Sequence, residues 1–238
     1  VFAGKRRELV AADYVYSFKR FMDPATKSPA ISAVQDMGLV GLNEYRQELL
    51  KSKQPFDYGR EIAGVRTIDR YTLELRTREP RPRLIETLAG GDLLGAVARE
   101  VIEAHGEKAG EHPVGTGPFR LTQWRRSSLL VLQRNPGYRE RTYGAQPAEG
   151  DAAGQALARR FAGRQLPMID RVEISIIEEN QPRWLSFLNG QHNLLERIPE
   201  EFVNQALPGG QLAPNLAKRG IQRETTLYPD VTFVIFNM

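Results

Sequence analysis

His105 and His112 bracket the run HGEKAGEH, with Glu107 and Glu111 inside it. Two imidazoles and two carboxylates are donor types that a divalent cation takes. Their spacing of seven is not the three or four that makes helical side chains neighbours, however, and Gly106 and Gly110 interrupt the run, so it reads as a solvated loop without a metal. His192 stands alone. Glu178 and Glu179 follow a strand-like run, where a carboxylate pair would suit acid–base work. Adjacent residues of an extended chain point to opposite sides, so these two cannot share a site. Ser127 and Ser128 fall in a turn without the strand–turn–helix context of a nucleophile elbow. The run VGTGPFRLTQW, Val114–Trp124, has two glycines about a threonine, as phosphate loops do. A phosphate loop also needs a helix after it, whose N-terminus faces the anion. Here a strand pattern follows, with no lysine and no third glycine. The run is therefore a tight turn into a strand, with Gly115 and Gly117 expected to supply unusual backbone angles and Pro118 at the strand's first position. Spacing alone yields no catalytic residue, and that points to a binding module.

The elements that would position such a module can be read in order. Val15, Phe18 and Met22 make an apolar stripe on a helix over Ala12–Met22, which Asp23-Pro24 ends. Tyr14, Tyr16, Phe18 and Phe21 also lie on this helix. Interleaved with bases they would suit single-strand stacking, but packing of an amphipathic helix accounts for them better. A less regular helical stretch covers Ile31–Lys51. Ile62–Thr77 is a hairpin turning at Asp69-Arg70, with short helices after it near Leu84–Leu88 and Ala96–His105. A second hairpin pairs the run from Phe119 with LLVLQR. Residues 139–168 change character, rich in Ala, Gly, Arg and Gln, and read as a surface insertion with a helix near Ala153–Phe161. RVEISII is a strand with Val172, Ile174 and Ile176 on one side. Asn180 is expected to cap the next helix, QPRWLSFL, which Asn189-Gly190 stops. Helices near Pro199–Ala206 and Leu212–Arg219 follow, then two strands, IQRETTLY and VTFVIF. No internal repeat is evident.

Composition sets outer bounds. The 238 residues carry 33 bases and 29 acids, a net charge of +4, and the densest basic runs are short, so solvated surface explains them better than nucleic-acid binding. The chain has no cysteine, which excludes disulfides, zinc–thiolate sites and thiol catalysis. No apolar run approaches the ~18 residues of a membrane helix. The chain opens on VFAGKRR without a start methionine and closes on the apolar TFVIFNM, and it reads as a fragment of a longer protein.

Several segments, in order, resemble family 5 of the extracellular solute-binding proteins of ABC importers, the family of the oligopeptide- and dipeptide-binding proteins (structural cluster C). LVAADYVYSFKRFMDP is similar to its T-A-D-D-V-x-Y-S-x-x-R helix ending in D-P, and GVRTIDRYTLELRTREP to its G-V-x-x-x-D-x-Y-T-x-x-x-x-L-x-x-P hairpin. HPVGTGPFRLTQWRRSSLLVLQRNPGY resembles its most diagnostic run, G-T-G-P-Y/F-x-L with a hairpin and R-N-P-x-Y. PMIDRVEISIIEENQPRWLSFLNGQHN resembles its P-x-I-D strand, helix and G-E-I-D turn, and VTFVIFNM its strand ending in F/I-N. Two departures stand out. The G-E-I-D turn is Gly190-Gln191-His192-Asn193, without its acids, and Arg139 replaces the usual aromatic before the insertion.

The resemblance implies a mixed α/β, type II periplasmic-binding-protein fold, of which this chain carries lobe I. Residues 1–113 would form the lobe's extra hairpin-and-helix subdomain. Residues 114–238 would form its central sheet portion, interrupted by the insertion at 139–168 and ending near the hinge to lobe II. It implies a periplasmic receptor, not an enzyme, that captures a peptide-like solute and delivers it to an inner-membrane permease, without cofactor, metal or nucleic acid. A non-peptide solute (a sugar, metal chelate or opine-like compound) is the alternative, and a nucleic-acid-binding or catalytic domain is further off. The carried-over ligand-facing positions are Tyr228, Asp230 and Phe233 on the final strands, and Arg197 after the altered turn.

Overall fold

The computed structural model describes Phe2 and residues 7–226, and its first helix, α1, spans Ala11–Met22. Val10 at the N-cap has no side-chain acceptor, so the exposed first-turn donors are met otherwise. Asp13, at the third helical position, accepts from the Val10 N–H at 2.8 Å and is itself gripped by Arg7. Asp23 ends the helix and its carboxylate accepts from the Ala25 N–H, turning the chain into a 3-10 turn at Pro24–Thr26. The expected stripe is present: Phe18 and Met22 are buried, and Val15 packs beside them.

The less regular stretch is two helices, α2 (Ile31–Asp36) and α3 (Leu42–Ser52), split at Gly38–Gly41. The break has a purpose. Val40 donates to Arg76 O at 3.0 Å and accepts from the Gly64 N–H at 2.8 Å, so this linker lies as an edge against the hairpin β1 (Val65–Thr67) and β2 (Leu73–Leu75). A side chain on Gly64 would collide with the Val40 backbone, which is why glycine stands there. Phe18, Met22, Val34, Leu42, Leu49, Ile62 and Val65 close one core over this arrangement. Burial of residues of this kind is worth about 2 kcal/mol each. Helices α4 (Leu84–Leu88), α5 (Gly91–Leu94) and α6 (Arg99–His105) follow.

Strands β3 (Phe119–Arg125) and β4 (Leu129–Arg134) form the second hairpin, antiparallel with an irregularity between Leu121 and Gln123, and β5 (Arg171–Ser175) lies beside β4. Gly115 and Gly117 do not adopt left-handed angles, contrary to the sequence expectation; the positive φ in this region belongs to Ser127 in the hairpin turn, at 53°. What fixes the Gly-Thr-Gly-Pro turn is distant in sequence. The Asn135 side chain donates to Gly117 O at 3.0 Å, and its backbone N–H donates to Pro118 O at 2.8 Å. The insertion is an ordered arm. Tyr143 N–H donates to Arg164 O and Leu166 N–H to Arg141 O, and between these clasps lies helix α7 (Ala152–Phe161), capped by Asp151.

By its internal contacts the chain divides into two units, Val1–Arg125 with Leu129–Ile174, and Arg126–Ser128 with Ser175–Met238. The second has its own core. Trp184 on α8 (Asn180–Leu188) is sandwiched by Phe187 and Phe202, with Ala206 of α9 (Val203–Ala206) and Leu216 of α10 (Pro214–Ala217) beneath. Asn180 is not the cap of α8. Glu179 holds that position without a side-chain bond, while the Asn180 amide oxygen accepts from Arg183. Residues 221–226 form no strand, which corrects the first half of the expectation for IQRETTLY; the rest of the final strands lies outside the described residues.

Candidate functional site

In the first unit, α1 turns Phe18 toward the core and leaves Tyr14, one turn earlier, at the rim of a concavity of about 300 Å³. Leu9, Ala11, Tyr71, Leu73 and Leu94 line it too. Leu9 and Tyr14 are shared with a second hollow of about 240 Å³, which runs past Arg7 and Asp13 to Val114, Gly115 and Thr116. The floor is apolar and the charges on its rim are paired. Arg7 bonds Asp13 and Glu100, and its guanidinium is held protonated above its ordinary range, first by the hydrogen bond it donates to Asp13. Glu8 accepts from Arg70 and from the Tyr71 hydroxyl, and those bonds lower its pKa. Carboxylates neutralised in this way are poor general bases. The surface suits contact with an apolar or amphipathic group.

A second cluster lies on the opposite side of α1. Tyr16, Tyr58, Phe56 and Tyr45 form a ladder of rings with successive centroids about 5 Å apart. Tyr58 donates to Asp23 at 2.8 Å, and burial raises its pKa. Lys19 is buried beside it, its ammonium donating to the carbonyls of Tyr58 and Arg60, and burial lowers its pKa. All of these groups pin the segment 53–61 onto α1, a structural task that the sequence pattern does not reveal.

His105 and His112 are not apart in a loop. The 3-10 turn Gly106–Glu111 reverses the chain and stacks their rings at 3.9 Å. Among the described residues no three His, Asp or Glu side chains are grouped to hold a metal ion. Glu178 and Glu179 are both exposed at the lead-in to α8. Of the carried-over ligand positions, Arg197 is exposed in the irregular segment after α8, and Tyr228, Asp230 and Phe233 lie outside the described residues. The described part of the chain therefore brings none of these four together. No helix among the described residues is long and apolar enough to cross a membrane.

Residues 6–238 match the family of bacterial extracellular solute-binding proteins, family 5 Middle. The periplasmic oligopeptide-binding protein OppA of Escherichia coli K12 is 33% identical over 132 residues, covering 55% of this chain and 23% of the relative. The glutathione-binding protein GsiB of Salmonella typhimurium is 28% identical over 79 residues, 33% of this chain and 15% of that protein. Among solved structures, Haemophilus influenzae OppA in complex with RPPGFSPFR superposes with a TM-score of 0.60 at 21% identity, over 85% of this chain and 34% of that one. Burkholderia pseudomallei OppA gives 0.58 at 22% identity, over 84% and 34%. The chain thus spans about a quarter of the length of the OppA relative and a third of these solved structures.

Proposed function

The chain belongs to family 5 of the bacterial extracellular solute-binding proteins and has part of their α/β fold; from that premise we propose that it is lobe I of a receptor that captures a peptide-like solute in the periplasm. The receptor hands the solute to the membrane permease of an ABC importer without acting on it chemically. Residues 1–113 serve as the lobe's extra subdomain and 114–238 as its central sheet portion. Closure of two lobes on the solute shifts an open–closed equilibrium, and the closed form is what the permease engages. The observation that carries this reading is the superposition on an OppA bound to a peptide, over most of this chain but a third of that one. Coverage of a third of that chain supports one wall of a cleft as this chain's share of the fold. The paired rim charges around Tyr14 fit binding better than catalysis.

Tyr228, Asp230 and Phe233 are the proposed ligand contacts, Asp230 meeting a ligand amine and the two rings offering apolar walls, with Arg197 secondary. The test uses a chain of the relatives' full length, purified without denaturation, with its bound compound released and identified by mass spectrometry. Calorimetry then compares that compound on the full-length and 238-residue chains. A peptide held tightly by the first and weakly by the second is expected. Equal affinity in both would make the site local and defeat the two-lobe reading. In the full-length chain, Asp230→Asn should weaken a peptide by about tenfold, the worth of one charge-assisted hydrogen bond. A non-peptide compound in the mass spectrum would favour the second reading, for which the loss of both acids at Gly190–Asn193 speaks.

A further inference from the structure

The arm formed by residues 141–166 carries arginines that, among the described residues, pair with no carboxylate. Arg160 and Arg164 place their guanidinium carbons 5.1 and 5.5 Å from the centroid of one ring, Phe161. The Tyr143 ring meets the same Phe161 edge-on at 5.9 Å. The arrangement is fixed by backbone, since Tyr143 N–H donates to Arg164 O and Gly163 N–H to Tyr143 O. Among the described residues, none of Arg141, Arg159, Arg160 and Arg164 takes part in an ion pair, whereas half of the described arginines of the first unit do. The arm's own acids stand elsewhere. Glu149 and Asp151 lie at the start of α7, and its ten residues set them about 15 Å from Phe161. Glu140 is exposed and pairs with neither arginine. Leu157, one turn before Phe161, is half-exposed at 49%. Its position aligns an apolar side chain with Arg160 and Phe161 along one edge of the helix.

Unpaired guanidiniums beside an aromatic ring and an exposed leucine, on a helix lying along the surface, match an anionic bilayer interface in charge and in polarity. We propose that this arm docks the protein on an anionic phospholipid surface, with Arg160 and Arg164 taking headgroup phosphates and Leu157 entering the acyl boundary. Guanidinium–phosphate pairs are bidentate and suit the fork of two arginines about one ring. The proposal does not depend on which solute the protein captures.

The test is sedimentation of the 238-residue chain with vesicles of phosphatidylcholine plus phosphatidylglycerol, against phosphatidylcholine alone. Binding only to the anionic vesicles is expected, and it should fall with salt. Arg160→Glu/Arg164→Glu should lower it at least ~10-fold. Lys51→Glu/Lys53→Glu, with the same change of net charge, should leave it within about twofold. Leu157→Glu, at a half-exposed position, should also weaken it. Circular dichroism checks that the variants fold. No preference for anionic vesicles, or equal losses from the lysine and arginine pairs, would overturn the proposal. So would binding of inorganic phosphate or of polyglutamate without binding of vesicles, which would make the arm a small-anion or acidic-protein site.

Discussion

Single residues do much of the specifying here, often by permitting another chain segment to approach. Gly64 is the clearest, because its missing Cβ is the space occupied by the Val40 backbone. Gly64→Ala forces the edge 38–41 off the hairpin, and it should cost about 1–3 kcal/mol, read from a denaturant midpoint that drops with little change in slope. Asn135 joins the Arg-Asn-Pro corner to the Gly-Thr-Gly-Pro turn through its side chain. Asn135→Ala should cost about 1–2 kcal/mol and disorder the turn, visible as faster amide exchange at Phe119 and Arg120. The stacked His105–His112 pair makes a prediction in pH. The folded pKa of His105 is lowered below 6.5, first by desolvation and then by the charge of His112. The unfolded chain therefore binds more protons over that window. The contribution of His105 to stability is present at neutral pH and lost as pH falls through 6.5 toward the folded value. In an NMR titration His112→Ala should move the His105 midpoint up; an unmoved midpoint would mean that the stack is not populated in solution.

At the scale of elements, helices read from sequence survive where one stripe faces one core. The α1 pattern is of this kind, and so is α4, whose bounds match the expectation and whose Leu84 and Leu88 pack on the same core, while α7 starts one residue early and buries no residue. The ends were harder, because caps depend on partners far along the chain. Asp13 satisfies the start of α1 only because Arg7 and, through it, Glu100 hold the carboxylate in place. Helix α8 carries an unusual cost. Among the described residues the buried Trp184 indole N–H has no hydrogen-bond partner, while its ring stacks with Phe187 and Phe202. Trp184→Phe keeps an aromatic ring and removes the orphan donor, so it should change stability by less than ~1 kcal/mol. Trp184→Ala empties the same space and should cost about 3–5 kcal/mol. Because this core and that of α1 share no residues, exchange after Trp184→Ala should quicken in α8 to α10 and leave α1 and α3 as they were.

Across the whole molecule, the sequence by itself determined the class of elements, their order and the family. Stripes of period 3.6, alternations of period 2 and Asp-Pro or Gly-Pro breaks are local signals, and local backbone sterics enforce them. The five family-like segments carry the binding-protein reading, and the match over residues 6–238 bears out the family. Only the tertiary structure decided that Val40 closes an edge on Gly64, that Lys19 is buried under the carbonyls of 58 and 60, and that a 3-10 turn stacks two histidines. It also clasped residues 139–168 into an arm whose Arg160 and Arg164 meet one ring, where the sequence offered a surface insertion with a helix near Ala153–Phe161. The physical reason is common to all of these. Each depends on groups brought together from separate stretches of chain, whose contact is set by packing and loop closure rather than by the preferences of neighbouring residues.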